Sequence, residues 1–110
     1  MGWQIRQALL WTAVLFAGLD GRAAQAAQWR YCVALSPAQR TFYMSPPFAT
    51  DESMETIEAE FGSVLDHGSI QHDAVQCPRG EAGSIAAMRQ QSIQYSQASG
   101  NKVMQLNWRP

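Results

Sequence analysis

Residues 8–19 form an uncharged, mostly apolar run behind the lone cation Arg6, and this run decides which part of the chain is left to fold. Twelve residues are too few to span roughly 30 Å of hydrocarbon, but they match the core of a secretory leader. Asp20-Gly21 breaks the run, and Ala24-Gln25-Ala26 then places small side chains at the two positions a signal peptidase must accommodate. Residues 1–26 therefore read as a signal peptide cleaved after Ala26, and residues 27–110 as one mature domain. No cysteine stands at the cleavage point, so lipid tethering is not expected, and neither is membrane insertion after cleavage. The expected destination is the periplasm or the exterior.

Composition supports this division. Only 15% of the chain is charged, below the usual quarter of soluble domains, because the first 26 residues carry only Arg6, Asp20 and Arg22. The mature part sets six basic side chains (Arg30, Arg40, Arg79, Arg89, Lys102, Arg109) against eight acidic ones (Asp51, Glu52, Glu55, Glu58, Glu60, Asp66, Asp73, Glu81). It has no basic stripe with interleaved aromatics, so no nucleic-acid partner is expected. A domain this short buries a thin core and gains from a covalent staple. Cys32 and Cys77 are the only two cysteines, and an oxidising compartment lets them pair. Closing a loop of that length stabilises by about 4 kcal/mol in the chain-entropy account.

Periodicity gives the expected elements. Residues 29–35 alternate, with Trp29, Tyr31, Val33 and Leu35 on one face and Arg30, Cys32 and Ala34 on the other, which predicts a strand. Ser36-Pro37-Ala38-Gln39 predicts a turn and residues 41–44 a second strand, so the two form a hairpin. Ser45-Pro46-Pro47 should then turn the chain away, since neither proline donates to a ladder. Across residues 50–67, Met54, Ile57, Phe61, Val64 and Leu65 make a helical stripe, with Thr50 or Asp51 as cap and Gly68 as a left-handed exit. The acids at its start suit the helix dipole. Residues 69–80 read as a loop fixed by Cys77, residues 82–98 as a less regular helix ended by Gly100-Asn101, and residues 102–108 as a half-buried strand.

The order β-β-α-α-β predicts an α+β fold: a two-layer sandwich in which two helices cover one face of a three-stranded antiparallel sheet. A Cys32–Cys77 bond needs Cys32 on the helix-facing side, yet the aromatics of the first strand point the other way. Either those aromatics face away from the helices, or the bond runs round a sheet edge. The pattern Tyr31-Cys32, Ser45 with Phe48, Cys77-Pro78, Arg89 and Trp108 resembles small exported bacterial proteins without an assigned activity. The resemblance implies a compartment and a disulfide, and no functional residues.

No constellation names a reaction, so an enzyme is not expected. Serines 45, 63 and 69 and Cys77 are the candidate nucleophiles, with His67 or His72 as base and Asp66 or Asp73 behind it. None lies in a nucleophile elbow, because Phe61-Gly62-Ser63-Val64 lacks the second glycine. Gly80 and Gly83 lack the Lys-Ser/Thr sequel of a phosphate loop, and no cofactor is expected. The leading expectation is a non-catalytic module that binds a protein or envelope component through an open sheet face or edge. Trp29, Tyr31, Tyr43 and Trp108 are its candidate contact residues. The alternative is a periplasmic metal-binding protein using His67, His72 and Asp73.

Overall fold

The computed structural model describes residues 28–110; the expected leader and its expected cleavage point lie outside these residues. Six short strands and two helices follow in the order β1 (Gln28–Arg30), β2 (Val33–Ser36), β3 (Thr41–Met44), β4 (Phe48–Thr50), α1 (Met54–His67), β5 (Arg79–Gly80), α2 (Ile85–Ala98) and β6 (Lys102–Gln105). The fold is α+β, but the single antiparallel sheet is corrected to two small three-stranded sheets, β4-β1-β5 and β2-β3-β6, the second of them mixed. Among the described residues, no helix is long and apolar enough to cross a membrane.

The strand expected over residues 29–35 is interrupted after Arg30, and its hairpin partner is interrupted at the two prolines. β1 pairs with β4 and β2 with β3, both antiparallel. Between these two ladders, Tyr31-Cys32 faces Ser45-Pro46-Pro47, so one extra residue bulges from the second strand. Ser45 bridges the gap: the Cys32 amide donates to its Oγ at 2.8 Å, and its own amide donates to the Cys32 carbonyl at 2.9 Å. The chain therefore kinks at the prolines and resumes pairing with the same partner, where the sequence suggested departure. At the hairpin tip, Arg40 takes the left-handed conformation (φ 50°) and its amide returns to the Pro37 carbonyl.

Part of the expected loop 69–80 lies along the sheet. Val33 and Gln76 exchange both backbone hydrogen bonds, the Asp73 amide donates to the Leu35 carbonyl, and further on Arg79 and Gly80 pair with Arg30 and Trp29. In this register Cys32 and Cys77 stand directly opposite one another, their Cα atoms 4.0 Å apart, and they form the disulfide. The staple is thus a rung between neighbouring extended segments. β6, expected antiparallel beside the hairpin, runs parallel to β3, with Lys102 donating to the Arg40 carbonyl and Leu106 to the Met44 carbonyl. The helix α2 between β5 and β6 explains the direction, since it carries the chain back along the sheet face, so that β6 enters at the end opposite to the one β5 left and runs parallel to β5 and hence to β3.

The two helices cover opposite faces, so the two-layer arrangement is corrected to three layers. On one side Ile57, Phe61 and Leu65 of α1 pack against Cys32, Ala34, Tyr43 and Phe48, with Leu106 and Trp108 at the margin. On the other, Ile85 and Ile93 of α2 pack against Tyr31, Val33 and Met44, flanked by Trp29, Phe42, Met88 and Val103. Alternation along the strands sends consecutive side chains to opposite cores, which removes the conflict over Cys32: both faces of its strand are inside. The half-buried strand expected over residues 102–108 ends at Gln105. Val103 packs under α2, Met104 is exposed, and Leu106 and Trp108 join the α1 core.

Helix ends shift for local reasons. Thr50 belongs to β4, so α1 begins at Met54, where Ser53 caps it by accepting the Thr56 amide at 3.2 Å. Beyond α1, Gly68 has φ −84° and Ser69 takes the left-handed position at φ 58°, reversing the expected role of the glycine. α2 starts at Ile85 and ends where Gly100 adopts φ 90°.

Candidate functional site

Strands lie about 4.8 Å apart and a helix with its side chains is about 10 Å wide. One helix therefore cannot cover the four neighbouring segments formed by residues 73–76, β2, β3 and β6. α2 lies closest to β6 and β5, and its Ile85 and Ile93 share one core with Tyr31, Val33 and Met44, with Val103 packed against it. Its other flank presents Met88, Ser92, Tyr95, Ser96 and Ser99, spaced three and four apart, toward β2. Serines stand where leucines would fill the gap between helix and sheet, and the result is an open groove of about 560 Å³. Val33, Leu35 and Phe42 form its floor and Gln76 and Pro78 its far wall.

The groove has an apolar floor and a neutral polar rim. Gln76, Gln91, Asn101 and the three serines contribute amides and hydroxyls, and no charged side chain of the described residues lines it. At its base the Tyr31 hydroxyl lies 2.7 Å from Ser92 Oγ and 3.3 Å from the Met88 carbonyl oxygen. Tyr95 stands over the groove with 77% of its surface exposed, far more than any other large apolar side chain of the described residues. Gly80 lets β5 come close under α2, since a Cβ there would meet Met88 Sδ at 2.8 Å.

The four aromatic contact candidates are not brought together. Tyr43 is buried in the α1 core, its hydroxyl donating to Gln39 Oε1. Trp108 is half-buried beside it, edge-on to Phe48 at 5.9 Å and tilted against Phe61 at 5.2 Å. Trp29 flanks the α2 core, and only Tyr31 reaches the groove. Leu35, Phe42, Met88 and Tyr95 complete the site and were not singled out from the sequence. The serine spacing along α2 was the available signal, because it empties one helix flank of large side chains.

The histidines are engaged elsewhere. His67 Nδ1 donates to the Ser63 carbonyl of its own helix at 2.6 Å. It lies 3.3 Å from Ser63 Oγ as well, but a nitrogen whose hydrogen points at a carbonyl cannot take the serine proton. His72 Nδ1 donates to the Asp73 carbonyl at 2.7 Å and Nε2 meets Asp66 Oδ1 at 3.0 Å. Both contacts want a donor, so the imidazolium fits best, and the pKa is raised, first by the Asp73 carbonyl and then by Asp66, against the opposing effect of burial. His72 thus holds the 73–76 segment to α1, and Asp73 meets it through its carbonyl, not its carboxylate. Among the described residues no three His, Cys, Asp or Glu side chains converge as a metal cage.

Other polar residues also brace the fold. Ser45 is fully buried in the bulge, and Cys77 is in the disulfide. Arg89 Nε donates to the Ser45 carbonyl and Nη2 to Gln105 Oε1, both at 2.9 Å, joining α2, the bulge and β6. Arg30, 7% exposed, spends Nη1 on the Cys77 carbonyl at 2.9 Å. No protein-family model, curated protein or solved structure matches the chain. The groove beside α2 is therefore read from its geometry alone.

Proposed function

We propose that this protein is a small exported, non-catalytic binding module that docks an uncharged apolar segment of a partner polypeptide in the groove beside α2. The observation that carries this reading is the groove itself: an apolar floor, a rim of hydroxyls and amides, and no charged lining residue among those described. Such a surface favours a partner whose contact face is apolar and neutral, since a charge seated there would lose water without gaining a counter-ion. Hydroxyls and amides at the rim give such a partner direction and register. Export is supported by the leader-like residues 1–26 and by the disulfide, which persists in oxidising compartments. An envelope or extracellular protein is the partner class that fits both.

Two measurements test the proposal. Purified protein immobilised as bait in envelope extract should retain a partner that is lost when Leu35→Asp places a charge on the groove floor. Met104→Asp, on the opposite face, should retain it, and equal recovery with all three baits would remove the groove from consideration. For export, mass spectrometry of the secreted chain should begin at Ala27 and show a mass two hydrogens below the reduced form. A chain beginning at Met1 with both thiols free would end that part of the reading.

A further inference from the structure

We infer that the groove beside α2 receives Tyr95 from a second copy of this chain, so that two molecules close on one another about a twofold axis. This rests on reading the groove as a protein-docking surface and names its occupant. A twofold interface is isologous: one patch must carry both the projecting group and the recess that receives it. That condition is met on one flank of α2. Tyr95, 77% exposed, stands at the lip of a recess floored by Val33, Leu35 and Phe42.

The chemistry of knob and hole also match. A tyrosine presents an apolar ring with a polar tip, and the recess offers an apolar floor with Gln91, Ser92 and Asn101 around it to meet the hydroxyl. Self-association sets every charge of a patch near its own copy, so a charged lining would repel itself across the axis. Here the lining carries none among the described residues. The serines at 92, 96 and 99 keep the helix flank low, which lets a second helix approach closely while its Tyr95 enters. Each copy both gives and receives, so two rings are buried for one closure.

Sedimentation equilibrium of the purified protein, with Tyr95→Ala and Leu35→Asp beside it, tests this. The unaltered protein should show a reversible monomer–dimer equilibrium, and each variant, which loses both copies of the contact, should weaken it by roughly a thousandfold, the effect of losing two interface hot spots of about thirtyfold each. Tyr95 is exposed, so its removal should leave the circular dichroism and the disulfide unchanged. An equimolar mixture of the two variants should dimerise with intermediate affinity, because Tyr95 of the Leu35→Asp chain still finds an intact recess on the Tyr95→Ala chain. A protein that stays monomeric up to about 1 mM, a dimer indifferent to Tyr95→Ala, or a mixture no stronger than its components would each overturn the inference. If self-association fails while Leu35→Asp still abolishes capture of another protein, the docking role of the groove survives and only the identity of its occupant is wrong.

Discussion

Ser36 is fully buried at the end of β2, and its hydroxyl has no hydrogen-bond partner among the described residues. A buried hydroxyl left unpaired costs about 1–3 kcal/mol, so Ser36→Ala should raise unfolding stability by about 1 kcal/mol, read as a higher urea midpoint at unchanged slope. His72 makes the opposite kind of contribution. Its raised pKa means that the folded state binds its proton more tightly than the unfolded chain does. The resulting stabilisation is fully present below the ordinary imidazole value of about 6.5 and is lost as pH rises through the higher folded value. Urea midpoints across that interval should therefore fall with rising pH, and His72→Gln should flatten the dependence. Asp66→Asn should flatten it only in part, because the Asp73 carbonyl is the larger cause and stays in place.

At the scale of the element, α1 is held by its cap and by one buried stripe. Ser53 accepts the Thr56 amide, and Ser53→Ala should cost about 1 kcal/mol. Gly62 lies in the interior of the helix, and a Cβ there would meet Val75 Cγ2 at 3.5 Å and His72 Cε1 at 3.9 Å, both ordinary contacts. Gly62→Ala should therefore stabilise by about 0.5–1 kcal/mol, because the gain in helix propensity meets no clash. Thermal unfolding of the two variants should move in opposite directions. α2 is differently built: its inner side holds Ile85 and Ile93, and its outer flank is hydroxyl-lined. That asymmetry made its periodicity weak in the sequence, and it is also what leaves the groove.

For the molecule as a whole, the disulfide joins directly opposed residues of two neighbouring segments while closing a loop of sequence separation 45. It ties residues 73–80, which carry little side-chain burial of their own, to the strand at the centre of both cores. Replacing Cys32 and Cys77 together by alanine should cost about 2–5 kcal/mol, comparable to the whole stability of so short a domain. Denaturant titration of the oxidised, reduced and double-alanine forms measures it. The reduced and double-alanine proteins should both unfold at much lower denaturant than the oxidised protein.

What the residues alone determined was local. Period-3.6 and period-2 patterns located both helices, the hairpin and the last strand, turn chemistry placed the hairpin turn at residues 36–39, one position ahead of the observed 37–40, and counting cysteines named the only possible staple. Each of these depends on neighbours a few positions apart. Pairing between distant segments was decided by the tertiary structure: the edge formed by residues 73–80 has no alternation to announce it, and the parallel course of β6 follows from where α2 packs. The helices occupy opposite faces because β2 and β3 carry apolar side chains on both, a two-sided pattern that a one-sided sheet could not satisfy. The groove belongs to the same class of outcome. Its floor, wall and lip come from β2, β3, residues 76 and 78 and α2, which meet only when the sheet is assembled and one helix proves too narrow to cover it.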